Sequence, residues 1–153
     1  NRVRRQRQMC IRDRCQTSIP QIYAAGDCTN HPNPLLNRRL RLESVPNAME
    51  QARVCASNMV GKDKIYSSIP WFWSDQYELK LQMVGFSSDG DSEIIRGDMD
   101  ANQFSVFHVK ENKVMAADSV NSPKDFMICK QLIGKEVDLD KLLDESIELK
   151  SML

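Results

Sequence analysis

The sequence predicts an α+β fold built from two consecutive parts, and two observations support this prediction. Residues 44–61 have the capping residues and the spacing of one helix, and a short apolar segment precedes them. Beyond Pro70 the pattern changes to short strand-like segments separated by turn residues, which favours an antiparallel sheet. The chain has 153 residues, of which 41% are hydrophobic and 27% charged, a composition typical of folded globular proteins.

In the first part, the apolar run Ile22–Ala25 is too short for a helix and predicts a buried strand. Asp27 falls just past the carboxyl end of that strand, where ligands gather in open α/β sheets. Taken alone, an aspartate at such a position is more often a turn residue or a cap than a ligand contact. Residues 28–42, which include the sequence HPNP and three arginines, have the composition of a solvent-exposed loop.

A helix is predicted to begin after Ser44, which is a good N-cap, with Pro46 in its first turn. Gly61 is expected to end it in the left-handed conformation. Small or apolar residues recur at helical spacing and suit close packing against a sheet: Ala48, Ala52, Cys55, Ala56 and Met59.

In the second part, residues 62–69 look like a connector and residues 70–153 form a separate domain. Four segments have the composition of strands: Tyr77–Val84, Glu93–Arg96, Phe104–Lys110 and Val114–Asp118. Ser122 is predicted to cap a helix that runs through Ile133 and ends before a glycine. A further short helix is predicted at Val137–Leu143.

The first fourteen residues differ from the rest in charge, with six arginines and one aspartate against 15 basic and 20 acidic residues elsewhere. An arginine-rich start could be a nucleic-acid-binding arm or a transit peptide. The arginine-rich segment lacks the serines and the apolar face of a transit helix. Binding to nucleic acid is not expected either. Gln8–Arg14, reading QMCIRDR, resembles a translated sequencing adapter. Residues 1–14 are therefore predicted to be a non-native tail, and residues 15–61 to begin the fold.

Several kinds of site are excluded by spacing. The five cysteines form no CxxC pair, which weighs against a dithiol enzyme and predicts reduced thiols in the cytoplasm. The six glycines never fall two apart, so no dinucleotide-binding loop is present. Cys28 and His31 lack a second ligand pair, so no metal site is expected. His108 is expected at the surface, and no run of 18 apolar residues predicts a membrane span.

Three motifs resemble the C-terminal part of FAD-dependent ferredoxin reductases, the group that includes the putidaredoxin, rhodocoxin and rubredoxin reductases. They are Thr17–Thr29 (TSIPQIYAAGDCT), Glu43–Arg53 (ESVPNAMEQAR) and Trp71–Gln76 (WFWSDQ). The resemblance implies that residues 15–61 are the end of an α/β FAD-binding domain and that residues 70–153 are the C-terminal reductase domain. It also implies an incomplete chain, since in that family the pyrophosphate loop for FAD and the NADH domain lie upstream.

The same resemblance implies the residues that hold FAD. The aspartate of the Gly26–Asp27 motif would accept a hydrogen bond from the ribityl chain, and a charged acceptor makes that bond stronger. Val45, at the start of the helix, would border the flavin ring, where the positive end of the helix dipole favours negative charge. Trp73 would lie beside the isoalloxazine ring and Trp71 would point away. Without the resemblance, an ordinary packing helix and a core of clustered aromatics explain the same residues.

The activity implied is electron transfer from NADH through FAD to a ferredoxin that serves a cytochrome P450 or a dioxygenase. The partner would be an acidic [2Fe-2S] ferredoxin or a rubredoxin, steered by a basic rim formed by Arg38, Arg41 and Arg53. Such arginines are more often a solvated face than a docking site. Two alternatives stay open: a non-catalytic docking module and a monodehydroascorbate reductase-like enzyme.

Overall fold

A computed structural model describes residues 9–153 and divides the chain into two compact units. The first unit ends at Ser68, and the second runs from Ile69 to Leu153. The first contains a small mixed sheet and one long helix, and the second contains a five-stranded antiparallel sheet with helices after it. This confirms the predicted α+β class. The functional assignment of each part stays a prediction at this point.

The first unit has three short strands in the order β1-β2-β3. They are β1 (Met9–Cys10), β2 (Thr29–Asn33) and β3 (Arg38–Leu40). Strand β1 runs parallel to β2, and β3 runs antiparallel to it. The buried side chains of β2 are the polar ones of Thr29, His31 and Asn33. A sheet this small can bury them because each makes hydrogen bonds in the interior.

The structure differs from the predictions in the part of this unit that precedes the long helix. Ile22–Ala25 is no strand: its only bridge pairs Tyr23 with Gln16, and Ile22 is 46% exposed. Strands β2 and β3 lie instead within the predicted loop 28–42. The sequence did not indicate them, because the inner face of β2 is polar and leaves no apolar signal. Residues 9–14 also take part in the fold, since β1 pairs with β2 and Ile11 is buried. The origin of residues 1–14 stays a prediction, and residues 1–8 lie outside the described part.

Helix α1 (Val45–Met59) begins and ends where the sequence predicts. The Ser44 side chain accepts a hydrogen bond from the backbone N–H of Asn47, and Gly61 follows the helix with a φ of +81°. The predicted packing face is wrong in part: Cys55 is buried, as predicted, but Ala52, Ala56 and Met59 are exposed. The buried positions are those of Pro46, Asn47, Gln51 and Cys55. Two of these are polar, so apolar spacing could not identify the inner face.

The sheet of the second unit has the strand order β4-β5-β8-β7-β6, with every neighbouring pair antiparallel. Its strands are β4 (Trp71–Gln76), β5 (Leu79–Gly85), β6 (Ser92–Asp98), β7 (Gln103–Lys110) and β8 (Lys113–Val120). The predicted sheet is confirmed, although the aromatic segment that forms β4 was not among the predicted strands. Strand β4 is an edge of the sheet, which leaves one of its sides without a neighbouring strand.

Helices α2 (Pro123–Leu132) and α3 (Leu139–Leu143) follow the sheet, as predicted. Short 3₁₀ turns lie at Ser87–Asp89 and Leu149–Met152. Phe126, Cys129 and Leu132 of α2 are buried in one core with apolar residues of β5 to β8. No helix among residues 9–153 has the length and apolarity needed to cross a membrane.

His108 is not the surface residue that the alternating pattern predicted. Its side chain is 7% exposed, and Nε2 lies 2.9 Å from Asp118 Oδ2. Nδ1 lies 3.4 Å from Glu93 Oε1. Two carboxylates on neighbouring strands therefore partner the ring, and this pairing makes its burial possible. The sequence could not show it, because both partners are brought to His108 by strand register.

Candidate functional site

The Gly26–Asp27 turn is held on both sides of its glycine. Gly26 is buried and has a φ of +85°, a conformation that favours glycine. Its N–H donates to Gln51 Oε1 at 2.8 Å. Its carbonyl accepts from the backbone N–H of Thr29 at 3.0 Å and from Thr29 Oγ1 at 2.8 Å. Both peptide groups of Gly26 are thus fixed, and the position of the next residue is fixed with them.

Gln51 links this turn to α1 and to β2. Its side chain is fully buried, and Oε1 lies 2.9 Å from Thr29 Oγ1 as well as close to Gly26. Its amide nitrogen lies 3.0 Å from Nδ1 of His31. The sequence analysis missed Gln51 and Thr29. The signal that could have found them is the pair Asn47 and Gln51, polar residues four apart on one face of a helix.

His31 lies at the inner end of these hydrogen bonds. It is 1% exposed, and its ring packs edge-on against Tyr66 with centroids 5.1 Å apart. Burial and the nearby Arg39 lower the pKa of His31, so the ring is neutral at pH 7. Among residues 9–153, Nε2 of His31 has no hydrogen-bond partner. The Tyr66 hydroxyl donates to Asn47 Oδ1 at 3.0 Å, and burial raises the pKa of Tyr66.

Asp27 itself is exposed on the outside of this turn. Its carbonyl accepts a hydrogen bond from Nε of Arg41 at 3.0 Å. A Cβ placed on Gly26 would lie 3.5 Å from Cβ of Ala48, so the turn rests against the start of α1. Val45, the first residue of α1, is 54% exposed, and the first turn contains no acidic side chain. The positive end of the helix dipole is therefore not neutralised from within the helix.

These features fit the expected flavin. A carboxylate on a rigid turn can accept a hydrogen bond from a sugar-like hydroxyl, and a helix N-terminus with no acidic side chain in its first turn suits an electron-rich ring. Gly26, Asp27 and Val45, three of the four predicted cofactor residues, thus belong to one local structure in the first unit. The fourth, Trp73, belongs to the second unit.

Trp73 is the outer member of a stack of aromatic rings in the second unit. The rings of Trp71 and Trp73 have centroids 5.4 Å apart, and Trp71 lies 5.9 Å from Phe126. The Lys130 ammonium lies 4.3 Å from the centre of the Trp71 ring. Trp73 is 37% exposed, whereas Trp71 packs against the core. Trp71 and Trp73 share a face of β4, as residues two apart on a strand do. That Trp73 lies beside the flavin ring and Trp71 points away from it stays a prediction.

The three arginines predicted to bind a partner have different surroundings. Arg38 lies on β3 and is exposed. Arg41 donates to the carbonyl of Asp27 and pairs with Glu43 at 2.7 Å, so part of its charge is balanced. Arg53 lies on the exposed side of α1, about two turns after Val45.

The described residues offer no metal site, and the buried thiol of Cys15 is not suited to nucleophilic chemistry. No group of three or more His, Cys, Asp and Glu side chains in the described part of the chain could hold a metal ion. Cys15 and Cys55 are buried beside each other, and burial raises the pKa of Cys15 to about 12. A thiol with so high a pKa is a poor nucleophile at pH 7.

Comparison with known proteins identifies two matching families. Residues 71–153 match the family described as "Reductase C-terminal", and residues 2–52 match the family described as "Pyridine nucleotide-disulphide oxidoreductase". One match lies in each unit, and residues 53–70 fall between the two.

Individual relatives agree with this. Putidaredoxin reductase of Pseudomonas putida is 44% identical over 145 residues, which are 94% of this chain and 34% of that protein. The ferredoxin reductase subunit of 5,5'-dehydrodivanillate O-demethylase from Sphingobium sp. is 42% identical over 141 residues, 90% of this chain and 34% of that protein. The crystal structure of the covalent putidaredoxin reductase–putidaredoxin complex has a TM-score of 0.86 and 44% identity, covering 95% of this chain and 35% of that chain. The chain therefore spans about a third of the length of its relatives.

Proposed function

Because the chain belongs to the pyridine nucleotide-disulphide oxidoreductases of the putidaredoxin reductase type and matches their C-terminal region, we propose that it is part of an NADH:ferredoxin reductase. In that proposal, electrons pass from NADH through FAD to a ferredoxin-type iron–sulfur protein, which supplies a cytochrome P450 or a dioxygenase. The relatives are ferredoxin reductases, which supports the class of reaction. The activity and partners of the whole protein are part of the proposal.

The observation that supports the proposal most directly is the Gly26–Asp27 turn fixed on the start of α1. Asp27 is exposed there, next to a helix N-terminus without acidic residues. We propose that Asp27 accepts a hydrogen bond from a ribityl hydroxyl and that the N-terminus beside Val45 favours negative charge on the flavin. FAD, when bound, supplies the hydride acceptor and the single-electron donor.

Trp73 and the arginines complete the proposal. Trp73 is the exposed ring of its stack and offers an aromatic face to cover the flavin, which would exclude water and oxygen. Arg38, Arg41 and Arg53 would steer an acidic ferredoxin or rubredoxin, with Arg53 offering more uncompensated charge than Arg41. The relative that was crystallised with putidaredoxin supports a small iron–sulfur protein as partner. No residue of this chain is assigned to NADH.

The test replaces Asp27 in a reductase chimera, defined here as putidaredoxin reductase whose matching C-terminal region is replaced by this chain. Asp27→Ala removes a hydrogen bond to a charged acceptor, worth about 1.5–3 kcal/mol, so the FAD dissociation constant should rise roughly ten- to hundred-fold. Flavin fluorescence on dilution measures this constant.

Asp100→Ala is the matched control, since Asp100 is exposed in the turn after β6 in the other unit. An unchanged FAD dissociation constant in Asp27→Ala would make Asp27 a turn residue only. That outcome would favour the docking-module hypothesis over the flavin site.

A further inference from the structure

The buried hydrogen bonds of Gln51 allow only one assignment of donors and acceptors. The backbone N–H of Gly26 can only donate, so the Gln51 atom 2.8 Å away is the carbonyl oxygen. The amide nitrogen of Gln51 therefore faces Nδ1 of His31 at 3.0 Å and donates to it. A neutral imidazole that accepts at Nδ1 has its proton on Nε2.

This assignment leaves one buried donor of His31 without a partner in the described part of the chain. Its Nε2–H is buried and has no partner among residues 9–153. A buried donor without an acceptor is unfavourable, and the opposite tautomer would leave Nδ1–H facing the N–H₂ of Gln51. The tautomer that lets the Gln51 oxygen face Gly26 therefore leaves Nε2–H of His31 without a partner among the described residues.

We propose that Gln51, oriented by His31, is the positioning residue that fixes the Gly26–Asp27 turn and so presents the Asp27 carboxylate to the flavin. Thr29 completes the arrangement, because its N–H and hydroxyl contact the Gly26 carbonyl on the other side of the turn. The flavin part of this inference rests on the proposed function. The anchoring of the turn by Gln51 does not depend on the flavin.

The first experiment uses the 153-residue chain without flavin. Nitrogen-15 NMR of the histidine rings should show His31 as the Nε2–H tautomer, and the Nδ1–H tautomer would overturn the proposal. Hydrogen exchange of the Gly26 amide should be at least about tenfold faster in Gln51→Leu, because its acceptor is lost. Gln131→Leu, the same substitution on the exposed side of α2, should leave this exchange unchanged.

A second pair of variants keeps the test decisive if Gln51→Leu does not fold. His31→Asn retains an acceptor near the position of Nδ1, whereas His31→Leu removes it. We expect Gly26 exchange within about threefold of the wild type in His31→Asn and at least about tenfold faster in His31→Leu. Equal exchange in the two variants would show that His31 does not orient Gln51.

The second experiment measures FAD binding in the reductase chimera for Asp27→Ala, Gln51→Leu and the double variant. Gln51→Leu should raise the FAD dissociation constant about tenfold, and the double variant should bind about as weakly as Asp27→Ala alone. Unchanged binding in Gln51→Leu, with weakened binding in Asp27→Ala, overturns the positioning role. If Asp27→Ala leaves FAD binding unchanged, the proposed function is contradicted instead. Hydrogen exchange of the Gly26 amide still tests whether Gln51 anchors the turn.

Discussion

Replacing Trp71 should destabilise the second unit much more than replacing Trp73, although both rings lie in one stack. Trp71 contacts three groups: the Trp73 ring at 5.4 Å, the Phe126 ring at 5.9 Å and the Lys130 ammonium at 4.3 Å. Trp73 shares only the first of these contacts and is 37% exposed. The difference follows from the position of each ring in the stack.

The magnitudes follow from these contacts. Each aromatic pair contributes about 0.5–1.5 kcal/mol beyond area burial, and a cation over an exposed ring contributes about 0.5–1 kcal/mol. Trp71→Ala should therefore lower the free energy of unfolding by about 3 kcal/mol, near the lower end of the range for buried aromatic-to-alanine changes. Trp71 Nε1 has no hydrogen-bond partner within residues 9–153, so the change leaves no acceptor unpaired. Trp73→Ala should cost about 1 kcal/mol.

Urea unfolding followed by tryptophan fluorescence measures both variants. The chain has two tryptophans, both in the second unit, so the remaining one reports on that unit alone. Phe72→Ala is the control, because Phe72 lies on the opposite face of β4 and is 41% exposed. A loss for Trp73→Ala equal to or larger than that for Trp71→Ala would refute the stacking order on which the estimate depends.

Two further predictions concern the flavin-loaded reductase chimera. Arg53→Glu should slow ferredoxin reduction about tenfold at low salt and less at high salt, with NADH reduction of the flavin unchanged, and stopped-flow kinetics measure both rates. The control is Lys110→Glu, at the exposed last residue of β7, and equal ferredoxin reduction rates in the two variants would place Arg53 on an ordinary solvated face. Trp73→Ala should shift the flavin absorbance spectrum and raise the rate of oxygen consumption. The folded Trp71→Ala variant should show a spectrum and an oxygen consumption rate near those of the wild type. The reverse pattern would assign the flavin contact to Trp71 instead.

The sequence predicted those elements whose signals are local. Ser44, Pro46 and Gly61 define both ends of α1, because caps depend on a few neighbouring residues. Four of the five strands of the second unit, β5 to β8, and helix α2 were likewise predicted from alternation, turn residues and a Ser-Pro start. The motifs around Asp27 and Trp73 also indicated the family, which the comparisons confirm.

Only the tertiary structure showed which polar residues are inside. Thr29 and His31 are buried where each hydrogen-bonds to Gln51, which lies 22 and 20 residues away in the chain. No local pattern distinguishes these three residues from exposed polar residues. For the same reason the sequence placed His108 at the surface. The error at Ile22–Ala25 has another cause, because an apolar run of four residues is too short to show a period. Apolar burial repeats along the chain and can be predicted, whereas polar burial depends on partners that folding brings together.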